Sequence, residues 1–473
     1  MSASATGPAT ARDRRRAVVI GGGLTGMLAA RALAGEAHVT VVERDTLPDA
    51  PGPRKGLPQA HHVHLLWSGG ADAIEALLPG TGDALAARGA RRIPLTTGMV
   101  AYSPQGWFRR WDESHYVIGC SRDLLDWVVR RQVLADPRGR VTVLPRTEVL
   151  GLEGDARAVT GVRVRRTGAG TEVLRADLVV DASGRASRTP HWLRELGGPE
   201  PASREVDPGL VYASRIYPAP EKTHHMAWPI VNVQALGRGS GPGQAGVILP
   251  IEDGRWLVTL SGTAGGEPTG ANDDFLPFAL RLRHPVVGEL IERLTPLTDV
   301  TVTRTTVNRR RYYEKAPMPR GLVVLGDAVA AYNPVYGHGM SVAALSALTL
   351  RDTVRRHGWA AAGLSRRVQK GIASHVGTAW TLATGSDVFY PDSTEHGPTL
   401  GERVAARFVD RLLYTATGSG RIARDVTDVM TLEAGPHRLA RPSTLVAAIR
   451  GPLKPQLAQP PFTDEERQAL AAS

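Results

Sequence analysis

The sequence predicts an α/β fold with α+β character, and three observations carry that expectation. An apolar run at Ala17–Ile20 precedes a glycine turn, a helically spaced apolar stretch over Leu24–Ala34 and a second run at His38–Val42, the pattern of one βαβ unit. Strand-like runs separated by turn residues dominate residues 209–314, the clearest being "AGVILPIEDGRWLVTLSGT" with a hairpin turn at Glu252–Gly254. After Ser341 the pattern is helical, apart from a loop near residues 385–398. This order reads as a Rossmann-like nucleotide-binding domain whose chain leaves, builds an inserted antiparallel β-sheet substrate domain, returns, and ends in a helical C-terminal region.

The elements follow in order. Residues 1–15 are small and polar and read as a disordered tail. The nucleotide-binding domain takes residues 16–95, 118–200 and 315–360, the sheet domain 96–117 and 201–314, and the helical region 361–473. "MVAYSPQGWFRRW" is a hairpin turning at Pro104–Gly106, and "SRDLLDWVVRRQVL" is a helix with Ser121 as its N-cap. Residues 141–182 alternate strands and turns and close on "ADLVVDASG". "TVTRTTVNRRRYY" leads back to the strand of "GLVVLGDAVAAYNPVYGHGMS".

With 473 residues and 42% hydrophobic content, the chain is long enough for more than one core. Its net charge is +11, but the arginines are scattered, with no long basic block and no interleaved aromatics, which argues against nucleic acid as a partner. No uninterrupted apolar segment reaches the ~18–20 residues of a membrane span, so no membrane insertion is expected. A single cysteine, Cys120, excludes a disulfide framework and fits a cytoplasmic setting.

Gly21-Gly22-Gly23-Leu24-Thr25-Gly26 fits the G-x-G-x-x-G pattern between a strand and a helix, and Glu43 stands about 20 residues on at the second strand's end. Gly21 permits the turn, Gly23 lets backbone approach a pyrophosphate, and Gly26 lets helix and strand touch. Asp327 ends a late strand, where a carboxylate suits a second polyol such as a ribityl chain. Gly337 and Gly339 would let a helix N-terminus point at the electron-rich edge of a reduced flavin. Together the two motifs bracket FAD.

Three blocks, "VVIGGGLTGMLAARAL", "ADLVVDASGRAS" and "GLVVLGDAVAAYNPVYGHGMS", resemble the FAD-dependent monooxygenases of the aromatic-hydroxylase fold. "RKGLPQAHHVHLLWSGG", "SRDLLDWVVR" and "PIEDGRWLVTLSGT" look most like the bacterial polyether-polyketide epoxidases of that group, whose relatives include FAD-binding Diels-Alderase-type cyclases. The resemblance implies that Gly21, Gly23, Leu24, Thr25 and Gly26 cradle the pyrophosphate and that Glu43, with Arg44, meets the adenosine ribose. It places Arg122 on FAD, backbone at Val149 by the adenine, and Asp327 on the ribityl or pyrophosphate region. Gly337, Gly339 and Met340 fall by the isoalloxazine and Arg54 near it, and Arg54, Tyr332, Tyr336 and His338 become pocket candidates. Two departures from the aromatic hydroxylases stand out. Ser183 and Pro190 replace the Asp and Arg of their D-G-x-x-S-x-x-R block, which speaks against direct NAD(P)H docking of that style. Ala330 stands where they usually carry His.

The activity implied is epoxidation of polyketide alkenes, with O2 as co-substrate and NAD(P)H or a separate flavin reductase as electron source. The alkene would attack the distal oxygen of a flavin hydroperoxide, so no acid or base residue is required. A non-redox [4+2] cyclase that uses FAD as scaffold is the alternative. His61, His62 and His64 lack a Cys or carboxylate to complete a metal set and read as pocket support. Cys120 reads as a small core residue. Trp107, Trp111, Trp228, Trp256 and Trp380 read as lining of an apolar cavity or as ordinary core.

Overall fold

The structure is a computed structural model that describes residues 15–238, 241–304 and 306–471. Except for Arg15, the tail expected at residues 1–15 lies outside the described residues. Five parallel strands form the central sheet, in the order Leu322–Val324, Leu178–Asp181, Arg16–Ile20, His38–Val42 and Val141–Leu144. Each is short and almost wholly apolar, as strands covered on both faces must be. Helices Leu24–Ala34, Arg122–Leu134 and Gly339–His357 pack with this sheet in the largest core. Ser121 caps the second of them, its hydroxyl accepting the Leu124 N–H at 3.2 Å.

A second sheet has seven strands, in the order Thr301–Thr303, Val211–Pro218, Arg255–Gly262, Ala245–Ile251, Ile230–Val233, Met99–Ser103 and Gly106–Trp107. Its neighbours are antiparallel except Ile230–Val233 with Met99–Ser103. The hairpins at 104–106 and 252–254 form as the turn residues dictate. One part of this region departs from expectation. Asn272–Leu280 and Val286–Ile291 are helices, not strands. Phe275, Phe278, Ala279 and Leu282 recur at helical spacing and bury against one face of the sheet.

That packing favours the core reading of the tryptophans. Trp107, Trp228 and Trp256 are fully buried in the core between the sheet and these helices, with Trp228 and Trp256 stacked at 5.3 Å. Trp380 belongs to the main core and Trp111 packs against a small cluster in the C-terminal helices. None of these five lines a cavity at the glycine turns. The C-terminal region is helical, through Leu364–Thr384, Leu400–Gly418, Gly420–Met430 and Pro442–Arg450. Among the described residues no helix is long and apolar enough to cross a membrane.

Candidate active site

At the end of the first strand the chain turns at Gly21, whose φ is +99°. A Cβ on Gly26 would fall 1.8 Å from the Gly21 carbonyl oxygen, so the helix reaches the turn only because residue 26 has no side chain. Gly23 is the opposite case: a Cβ there would meet nothing within 4 Å. Its backbone borders open space. Gly23 is also the N-cap of Leu24–Ala34, and no side chain caps it, so the first N–H groups of that helix are left for an outside partner.

The second turn lies two strands away in the sheet. Leu325 N–H bonds to Asp181 O at 2.9 Å, and the chain then bends at Gly326, whose φ is +62°. A Cβ on Gly326 would sit 2.6 Å from Thr25 Oγ1. The early glycine turn and the late aspartate turn are therefore in contact. The Asp327 carboxylate has no hydrogen-bond partner among the described residues. Burial raises its pKa, while the charges of Arg185 and then Arg122 pull the other way. A Cβ on Gly339 would lie 3.7 Å from Asp327 Oδ1, which puts the carboxylate at the head of Gly339–His357. That helix also lacks a side-chain cap, and Met340 in its first turn is buried. Two uncapped helix starts, an open glycine backbone and an unpartnered carboxylate thus converge, a donor set that fits a dinucleotide with a polyol between two ring systems.

Glu43 lies under the first turn. Its Oε2 accepts Gly22 N–H at 2.7 Å and Arg54 Nη2–H at 2.9 Å, and its Oε1 accepts Asp45 N–H at 2.9 Å. Arg54 Nη1 donates to Gly22 O at 3.1 Å. Arg54 is thus held at the glycine turn through Glu43 and the Gly22 carbonyl. It also lines a cleft of about 500 Å³ with Lys55, Pro58, His61 and Thr301–Thr303. Arg44 is exposed, in a cleft of about 560 Å³ shared with Arg146, Arg165 and Arg166. Val149 is buried in the strand Thr147–Gly154, whose first N–H bonds to Glu43 O at 2.9 Å.

Arg122 holds Asp126 at 2.7 Å and also lies near His64 and Asp327. The altered Ser183–Pro190 block folds onto Asp181, whose carboxylate accepts hydrogen bonds from the hydroxyls of Ser183, Ser187 and Thr189. Arg185 leaves this block to reach the carbonyls of Val307 and Tyr332.

The remaining candidates divide. Tyr332 donates to Val376 O at 3.2 Å inside the main core, a tie to Leu364–Thr384 and not a pocket group. His338 Nε2 donates to Met430 O at 2.9 Å, which leaves a buried, unpartnered Nδ1 lone pair, and burial lowers its pKa to about 4. Its ring stacks on Tyr336 and Trp67. His62 is reached from the seven-stranded sheet. Thr259 Oγ1 accepts Val63 N–H at 2.9 Å and shares a hydrogen bond of 2.6 Å with Ser214 Oγ, which is bonded in turn to His62 Nδ1 at 2.7 Å. The Nε2 of this buried ring has no hydrogen-bond partner among the described residues. Burial lowers His62 to about 3 and His64 to about 4.

One cluster escaped the sequence altogether. Asp387 is buried, and its Oδ2 accepts amide hydrogens from Asn308, at 2.8 Å, and from Asn333. Burial raises its pKa to about 7 against those two bonds, with Asp207 adding to the rise. Tyr212, Tyr336 and Tyr390 all feel its charge. Among the described residues no group of three or more His, Cys, Asp or Glu is arranged to hold a metal ion. Cys120 is buried, which pushes its thiol pKa well up.

No family model matches the chain. Over 419 residues it is 31% identical to Protein Rv3254 of Mycobacterium tuberculosis (strain ATCC 25618 / H37Rv), covering 85% of this chain and 86% of that one.

The chain belongs to the family of Rv3254.

This Rv3254-family chain is also 28% identical to kynurenine 3-monooxygenase of Salinispora arenicola (strain CNS-205) over 375 residues, 75% of each chain. Among solved structures, p-nitrophenol 4-monooxygenase PnpA from Pseudomonas putida DLL-E4 superposes with a TM-score of 0.60 at 16% identity, over 89% of this chain and 100% of that one. The fold is that of the FAD-dependent monooxygenases and halogenases. The Rv3254-family chain is an enzyme of the FAD-dependent monooxygenase kind.

Proposed function

We propose that this enzyme epoxidises alkenes of a polyketide of the polyether type. The observation that carries the cofactor half is the contact between the Thr25 and Gly326 turns. Gly21, Gly23, Leu24, Thr25 and Gly26 would hold the pyrophosphate of FAD, with Glu43, Arg44 and Val149 toward the adenosine. Asp327 and Arg122 would take the ribityl end, and Gly337, Gly339 and Met340 the pyrimidine edge of the ring. The bound flavin supplies the chemistry that activates O2. The chain's own residues bind, orient and exclude water.

Three histidines favour a reaction in which no imidazole abstracts a proton. His62, His64 and His338 are neutral and weakly basic, and two of them are tied to backbone carbonyls. An alkene offers no acidic proton, so it asks nothing of such groups, whereas a phenol must lose its proton. With Pro190 ending the altered block, reducing equivalents from a separate flavin reductase are the favoured supply.

The test is incubation of purified enzyme with a polyene, a flavin reductase and O2, followed by mass spectrometry. Gain of one oxygen atom per consumed alkene is expected. Full conversion to an isomer without reductant or O2 would establish the non-redox cyclase instead.

A further inference from the structure

The helix Pro442–Arg450 is turned the wrong way round for a surface helix. It buries Thr444 and Ala448, with the Thr444 hydroxyl donating to Asp425 Oδ2 at 2.8 Å. Its larger apolar residues, Leu445, Val446 and Ile449, face outward. An amphipathic surface helix does the reverse. Ile449 is 78% exposed and Leu453, just beyond the helix, 79%. Arg411 of the neighbouring helix Leu400–Gly418 clamps the end of this element, donating to Ala448 O at 2.6 Å and Ile449 O at 2.8 Å. One and two turns before Arg411, the same helix exposes Arg407 and Val404.

Among charged side chains, the stretch of chain that carries this apolar face bears basic ones only. From Ala434 to Thr463 there is no Asp or Glu. Arg407, Arg441 and Arg450 are exposed and have no ion-pair partner among the described residues, and Lys454 lies over the Trp111 ring. We propose that this face docks on an anionic lipid bilayer, with Ile449 and Leu453 entering the headgroup boundary and the arginines meeting lipid phosphates. Three features select that occupant. Side chains that are nearly wholly exposed project outward, and a bilayer yields to such projections without a matching groove. Unpaired arginines beside them find their complement in anionic headgroups. A second copy across a two-fold axis would instead bring these same positive charges face to face. The docking is peripheral and requires no spanning helix. It places the adjoining helix Gly420–Met430, whose Met430 carbonyl holds His338, one layer from the lipid.

The experiment is co-sedimentation of the FAD-loaded enzyme with vesicles of equimolar phosphatidylcholine and phosphatidylglycerol, and with phosphatidylcholine alone. Binding to the anionic vesicles only, weakened by high salt, is expected. Ile449→Asp with Leu453→Asp should weaken it ~10-fold or more, and Arg441→Glu with Arg450→Glu by a similar factor. All four positions are exposed, so flavin content and melting temperature should not change. No sedimentation with anionic vesicles would overturn the proposal. So would a dimer, seen by sedimentation velocity, that Ile449→Asp converts to monomer, or an acidic protein that displaces the enzyme from no vesicle yet binds it through Ile449.

Discussion

Thr25 lies directly against Gly326, leaving no room for a β-carbon on the later residue. Gly326→Ala should therefore do two things at once: clash with Thr25 and force a non-glycine residue to a φ of +62°. We expect a loss of ~1–3 kcal/mol in stability and a clear fall in bound flavin. Thr25→Gly in the same background should recover part of both, because it removes the clash and leaves only the backbone strain. Thermal melts and the flavin-to-protein absorbance ratio of the two variants provide the check.

Asp327→Ala removes a carboxylate whose pKa is raised by burial and which makes no hydrogen bond among the described residues. Its apo form should be about as stable as the apo wild type, since the cost of desolvating the carboxylate is offset only by the charges of Arg185 and Arg122. Its FAD affinity should nonetheless fall ~10-fold or more, the expected effect of losing hydrogen bonds to a charged group. Stability of the apo forms and FAD affinity, measured separately, discriminate a ligand-binding role from a structural one.

Glu43 and Arg54 are both nearly inaccessible and 2.9 Å apart. Removing the cation in Arg54→Ala leaves Glu43 buried with only the N–H groups of Gly22 and Asp45. A loss of ~2–4 kcal/mol is expected, toward the low end of a broken buried pair because those two donors remain. Arg54→Ala with Glu43→Gln should be less destabilised than the sum of the single variants, as read by denaturant unfolding.

The Asp387 carboxyl titrates near 7 in the fold, against an ordinary value of 3.8. Its neutral form is favoured in the native state, so its contribution is fully present below the ordinary value and is lost as pH rises toward about 7. Asp387→Asn abolishes that titration, and its amide oxygen can still accept from Asn308 and Asn333. The variant should gain stability relative to wild type between about pH 5 and about pH 8, by up to a few kcal/mol at ~1.4 kcal/mol per pH unit. Melting curves at the two pH values test this; an unchanged difference would exclude the shifted carboxyl.

What the sequence made legible was local. The G-x-G-x-x-G turn, the Ser121 cap and the 252–254 hairpin each depend on residues a few positions apart, and each formed. The contact of Thr25 with Gly326 joins distant parts of the chain, so spacing alone could imply it only through a shared ligand. The pairing of Arg54 with Glu43 was not legible, because an irregular loop carries Arg54 back to the strand end. The Asn308–Asn333–Asp387 cluster carries no motif: its members come from a strand, the cap of one short 3-10 helix and the start of another, and only burial makes them interact. The helices at 272–291 were missed inside a strand-rich stretch although their apolar spacing is helical. The tryptophans were ambiguous because aromatic composition does not say which face of a sheet a ring will cover.

The most direct test of the central claim, that the two turns hold opposite halves of one FAD, is competition titration of apo-enzyme with FAD and with AMP. The account predicts that Asp327→Ala weakens FAD ~10-fold or more while leaving AMP affinity unchanged, and that Gly23→Val weakens both. Unchanged FAD affinity in Asp327→Ala, or AMP and FAD binding without competition, would contradict it.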